Sequence, residues 1–60
     1  MTGVKECHGY HLGQFVDHKK FGPGVILNFE GEGEGARVQV QFKKVGSKWL
    51  LMNMAKLEIV

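Results

Sequence analysis

The clearest pattern in the chain is Arg37-Val38-Gln39-Val40-Gln41-Phe42-Lys43, where polar and apolar side chains alternate without a break. A two-residue period is that of a half-buried strand. Val38, Val40 and Phe42 then face a core, while Arg37, Gln39, Gln41 and Lys43 face water. Weaker patterns predict four more strands. Residues 14–18 place Val16 inward and Phe15 outward. Residues 25–29 place Val25, Leu27 and Phe29 on one face, with Ile26 and Asn28 on the other. Residues 48–51 are predicted with Trp49 and Leu51 inward, and Leu57 and Ile59 alternate in a closing strand. Asn53-Met54-Ala55, just before it, is predicted as one tight helical turn, too short to stand as a helix by itself.

Turn chemistry separates these segments. Phe21-Gly22-Pro23-Gly24 combines residues that permit positive φ with one that fixes φ and lacks a donor. Gly22 and Gly24 are therefore expected to shape a first turn. Residues 30–35 alternate glutamate and glycine as a hairpin loop, and residues 44–47 form a second turn. Residues 1–11 show neither a helical nor a strand period and read as a flexible leader, with the folded unit spanning 12–60. Five short strands at roughly ten-residue spacing predict an all-β domain, a small barrel or sandwich. The expected core is Val16, Val25, Leu27, Phe29, Val38, Val40, Phe42, Trp49, Leu51 and Leu57.

Composition narrows the function. Sixty residues bury only about 60% of their unfolded surface. That leaves little room for a substrate pocket of roughly 300–1,000 Å³, so a self-contained enzyme and a small-molecule substrate are not expected. The formal charge of +2 is too weak to imply nucleic-acid binding without a local cluster. One cysteine excludes an internal disulfide framework and fits a reducing compartment. With no run of eighteen apolar residues and no signal-like N-terminus, a cytoplasmic location and no membrane partner are expected.

The pattern Leu12-Gly13-Gln14, Val16, His18, Phe21-Gly22, Gly24, Val25, Asn28, Glu30-Gly31, Gly33, Val38, Val40, Phe42, Gly46, Lys48-Trp49-Leu50, Ala55 and Leu57-Glu58 resembles the C-terminal domain of UvrD/PcrA-type DNA helicases. The resemblance spans about residues 9–60. It implies an SH3-like, Tudor-like barrel that docks on RNA polymerase and couples a bacterial repair helicase to transcription. Related barrels in CarD and Mfd-type factors imply the polymerase β subunit as the partner. The chain is then a stand-alone relative or an excised helicase tail. It has no G-x-x-x-x-G-K-[ST] loop, so it carries no ATP-hydrolysing motor of its own. Phe15 and Asp17 stand where family members carry basic residues, so this strand offers little to a phosphate.

On this reading the partner-binding residues are Lys48, Leu50 and Phe15. The resemblance implies the polymerase contact of Lys48; strand parity sets Lys48 and Leu50 together on the outside if Trp49 is inside. The bland alternatives are a solvated lysine and a phenylalanine packed on the leader. Lys19-Lys20 and Lys43-Lys44, joined by Arg37 and Lys48, form a basic rim if the fold brings them together. Such a rim would suit a nucleic-acid backbone, and otherwise it is a solvated edge. Cys7, His8, His11 and His18 lack the spacing of a four-ligand zinc site, and no metal or other cofactor is expected. His18 is read as structural, hydrogen-bonded beside Phe21-Gly22. The glutamates of the glycine-rich loop would repel a phosphate.

Overall fold

The computed structural model describes residues 6–7 and 9–60. The leader reading for residues 1–5 and for His8 lies outside the described residues. Two short strands, β1 (Glu6–Cys7) and β2 (Tyr10–His11), pair as an antiparallel hairpin. The remaining strands are β3 (Phe15–His18), β4 (Gly22–Glu30), β5 (Arg37–Phe42), β6 (Gly46–Leu51) and β7 (Glu58–Ile59). They form one five-stranded sheet in the order β6-β5-β4-β3-β7, antiparallel throughout. A single helical turn, α1 (Met52–Ala55), leads from β6 at one edge of the sheet towards β7 at the other. The all-β prediction, its five strands and the helical turn before the last strand are all present, and the sheet curls around one core as a small Tudor-like barrel.

The alternation in β5 is realised directly: Val38, Val40 and Phe42 are fully buried. Val16, Ile26, Phe29, Ala36, Met52, Ala55 and Leu57 complete the core. Burying a side chain of this kind contributes about 1.5–3 kcal/mol, so β5, central to both packing and pairing, organises the domain.

The predicted core needs correction on two strands. In β4 the pairing runs Gly24↔Phe42, Val25↔Gln41, Ile26↔Val40, then slips to Asn28↔Gln39 and Phe29↔Val38. This bulge leaves Leu27 without a partner and reverses parity on its two sides. Ile26 and Phe29 are therefore buried, whereas Val25 is half-buried and Leu27 exposed. In β6 parity is opposite to the prediction. Trp49 and Leu51 are exposed, at 41% and 43%, while Lys48 and Leu50 are half-buried. Trp49 is thus not a core residue, and Lys48 and Leu50 are not on the outer face.

The first turn is also displaced. It occupies Lys19, Lys20 and Phe21, and β4 has already begun at Gly22. Gly22 has φ +83, a conformation that side chains disfavour. Gly24 serves a different purpose from the turn role predicted for it. It sits inward opposite Val16 and Phe42. A Cβ there would lie 2.7 Å from Val40 Cγ1 and 2.9 Å from Phe42 Cδ1. Its missing side chain is the space these two occupy. The β4–β5 loop predicted over 30–35 contains a 3-10 turn at Gly33–Gly35, and the Ala36 carbonyl beyond it accepts the Met52 amide at 2.8 Å, tying α1 to the loop.

The pairing of residues 6–11 is a second feature that the sequence pattern did not predict. Tyr10 packs against the core and its hydroxyl donates to the Leu57 carbonyl at 2.6 Å. Gly13 and Gln14 extend the β3–β4 ladder, with Gly13 N donating to Ile26 O at 2.8 Å and Ile26 N to Gln14 O at 3.0 Å.

Candidate functional site

Among the described residues, β6 is an edge strand of six residues that pairs only with β5. An edge strand exposes unpaired N–H and C=O groups, a template on which an extended partner segment can add. The side chains flanking this edge divide by face. Outward are Ser47, Trp49 and Leu51, which stand opposite Gln41, Gln39 and Arg37 of β5. Arg37 lies over the Trp49 ring, its guanidinium carbon 5.3 Å from the centroid, and also pairs with Glu30 of β4. Glu30, Arg37 and Trp49 thus form a row across three strands that holds the indole in place while leaving it open to solvent. Such cation–π contacts contribute about 0.5–1 kcal/mol at exposed sites.

On the other face, Leu50 packs against the core and Lys48 places its Nζ 5.3 Å from the Phe21 ring centroid. The lysine stem covers apolar surface while the charge stays at the rim. Phe21 is positioned by His18, whose ring stacks on it and whose Nδ1 accepts the amides of Lys20 and Phe21. His18 is therefore built into the β3–β4 turn, as its place in the sequence predicts.

The three partner-binding candidates do not share one surface. Lys48 and Leu50 lie along β6, whereas Phe15 is three strands away on β3 and faces outward, 68% exposed. Phe15 lines a shallow apolar depression of about 390 Å³ with Val16, Pro23, Gly24, Val25 and Val60, bounded by Gln41 and Lys43. A second, more polar depression of about 560 Å³ lies by α1, lined by His18, Lys19, Asn53, Met54, Ala55, Lys56 and Glu58. Neither contains a nucleophile paired with a base. Among the described residues no three His, Cys, Asp or Glu side chains converge as metal ligands, and no helix is long and apolar enough to cross a membrane. His8 of the metal question lies outside the described residues.

The basic rim is assembled in part. The turns carrying Lys19-Lys20 and Lys43-Lys44 are neighbours at one end of the sheet: Lys43 N donates to Pro23 O at 3.0 Å, and the Lys44 side chain lies against Gly22. Lys48 is close by, through Phe21. Arg37 is not part of this rim; it sits at the far end of β5, paired with Glu30.

What the sequence missed is the outward placement of Trp49 and Leu51 and the position of Arg37 over the indole. The signal available was the Trp49-Leu50-Leu51 run itself, which puts apolar side chains on both faces and so carries no parity of its own.

Residues 12–58 match the family model described as the PcrA/UvrD tudor domain. The chain is 58% identical over 52 residues to DNA helicase II of Salmonella typhimurium strain LT2, covering 87% of this chain and 7% of that protein. It is 53% identical over 57 residues to DNA helicase II of Escherichia coli strain K12, covering 95% of this chain and 8% of that protein. It is 40% identical over 48 residues to the ATP-dependent DNA helicase PcrA of Bacillus subtilis strain 168, covering 78% and 6%. The chain therefore spans less than a tenth of the length of these relatives, and what it shares with them is the Tudor-like module. With the family model covering most of the chain and the barrel in place, the chain belongs to the PcrA/UvrD tudor domain family.

Proposed function

We propose that this domain is a non-catalytic docking module that binds RNA polymerase through the β subunit, in a setting that links DNA repair to transcription in the bacterial cytoplasm. The observation that carries the reading is the free edge of β6, with Trp49 and Leu51 outward and Lys48 and Leu50 on the other flank. Tryptophan and arginine are over-represented among residues that dominate binding energy, and here Arg37 holds Trp49 upright. An added strand gains affinity from main-chain hydrogen bonds and specificity from alternate side chains. Lys48 supplies a positive charge beside that strand. The module needs no cofactor, and its likeness to DNA helicases supports a place beside a motor carried elsewhere.

The test is an amide chemical-shift titration of the labelled domain with a fragment of the polymerase β subunit. Shifts concentrated on residues 46–51 and on Arg37–Gln39 are expected. No perturbation at saturating fragment, or perturbation confined to residues 19–20 and 43–44, would overturn the reading.

A further inference from the structure

We infer that the outer face of β3 and β4, around Phe15, is a second docking surface, for an extended protein segment that carries a large apolar side chain and, two residues away, a lysine or arginine. It is independent of the polymerase reading, since β3 lies three strands from the β6 edge.

The face is set by register. Val16 is fully buried, so Phe15 and Asp17 project from the opposite side of β3. Phe15 stands opposite Val25 of β4, and Asp17 opposite Pro23. The Val60 amide donates to the Phe15 carbonyl at 3.2 Å, which carries the β3–β7 ladder one residue further and sets Val60 beside Phe15. Phe15, Val25, Pro23 and Val60 thereby converge on the apolar depression of about 390 Å³. Phe15 and Val60 are 68% and 82% exposed, and neither belongs to the core cluster or packs against it. A contiguous apolar patch inside a polar rim marks an interaction site.

The rim decides what the segment carries. On the β7 side, Asp17 and Glu58 are direct partners across two strands. Side chains so placed have Cβ atoms about 4.5–5.5 Å apart, and like charges there repel. Glu58 also borders the depression by α1, where Lys19 and Lys56 lie. Among the described residues, neither carboxylate is in ion-pair contact with a base. A cation brought over the pair relieves the repulsion. On the β5 side the rim is Gln41 and Lys43, and Lys43 turns a cation away from that flank. The surface therefore admits a basic side chain at one end only.

Spacing fixes the pattern of the segment. Phe15 and Asp17 are two residues apart on one strand, about 6.8 Å. An extended segment lying along β3 repeats its own face at the same interval. An apolar side chain seated between Phe15 and Val25 thus sets the residue two positions away over Asp17 and Glu58. The apolar residue is the anchor, and the charge fixes its register.

The experiment pans a phage-displayed library of short random peptides on the immobilised 60-residue chain. The selected peptides should share a large apolar residue two positions from Lys or Arg. Their affinities are then measured by fluorescence anisotropy on three variants. Phe15→Ser should weaken binding about tenfold or more, as loss of an anchoring contact does. Asp17→Asn/Glu58→Gln should weaken it about two- to fivefold, the scale of exposed ion pairs. Trp49→Ala should bind as the parent does. The carboxylate variant changes charge without changing shape, so it decides the matter even if Phe15→Ser fails to fold. Peptides without the apolar–basic pattern, or peptides that bind the carboxylate variant as tightly as the parent, would overturn the inference. Binding lost on Trp49→Ala would assign the peptides to the β6 edge and overturn it as well. So would sedimentation showing that the parent self-associates through Phe15, since the face would then belong to a second copy of the chain.

Discussion

The imidazole of His18 lies nearly flat on Phe21, with ring centroids 4.5 Å apart and planes 19° from parallel. The same ring uses Nδ1 to accept two backbone N–H groups, those of Lys20 and Phe21, both at 3.0 Å. One side chain therefore closes the β3–β4 turn and fixes the aromatic that the turn carries. Both rings also meet Phe42 of the core, at 5.8 and 5.3 Å, so the turn is anchored to the centre of the sheet.

Replacing His18 by alanine removes the acceptor and the stack together. The expected cost is about 1–2 kcal/mol, a fall of about 5–10 °C in the thermal midpoint of a domain this small. His18→Asn, which restores an acceptor but not the stack, should lose less. Thermal unfolding followed by circular dichroism decides it, and midpoints unchanged in both variants would refute a structural role for this ring.

Gly24 and Gly35 should respond in opposite ways to the same change. A methyl group at position 24 meets Val40, Phe42 and the Gln41 carbonyl at 3.0 Å or less, two of its three contacts being core side chains. Gly24→Ala should destabilise by about 1–3 kcal/mol through overpacking. At position 35 nothing lies within 4 Å, and Gly35→Ala should be neutral or stabilise by up to about 1 kcal/mol by restricting the unfolded chain. Urea midpoints of the two variants give the comparison, and equal effects would contradict the close approach at Gly24.

Tyr10→Phe isolates one hydrogen bond. The hydroxyl reaches the Leu57 carbonyl at 2.6 Å across 47 positions of sequence, and its loss should cost about 1 kcal/mol. The midpoint should fall while the denaturant slope stays constant, because the surface exposed on unfolding is almost the same. A variant as stable as the parent would mean that the bond contributes nothing net.

Trp49→Ala separates binding from folding. With the indole 41% exposed and Arg37 over its ring, the loss of stability should be clearly smaller than the ~3–5 kcal/mol expected for Phe42→Ala in the core. Affinity for a polymerase β-subunit fragment should fall by thirtyfold or more, the scale of a residue that dominates an interface. A variant that unfolds but, where folded, binds normally would return Trp49 to a packing role.

The strands differ in how much they reveal. β5 is legible because its polar residues mark every second position, leaving one face to bury. β4 misleads because Val25, Ile26 and Leu27 are all apolar, and only the bulge decides that Ile26 and Phe29 enter the core. A bulge is a pairing event between strands and leaves no mark in a run of similar side chains. β6 misleads for a related reason. Either Trp49 or Leu50 satisfies an apolar core, and the choice rests on partners distant in sequence: Arg37 receives the indole, and Phe21 receives the lysine. The rim of lysines was legible as two pairs, but that the pairs are neighbours follows from the order of the strands. The part of the candidate surface that could be read directly was its location on residues 48–51. Which side chains face a partner could not be read there.

The separation of the lysine turns from the glutamate loop has a kinetic consequence. Lysines of the β5–β6 turn and glutamates of the β4–β5 loop are held about 20 Å apart along β5, so charge is unevenly distributed along that strand. At physiological ionic strength the field reaches only about 8 Å from the surface, so it acts in the last stage of approach, turning the molecule before contact instead of drawing it from afar. The edge of β6 runs antiparallel beside β5 between these two ends, so a strand added there would lie along the same charge gradient.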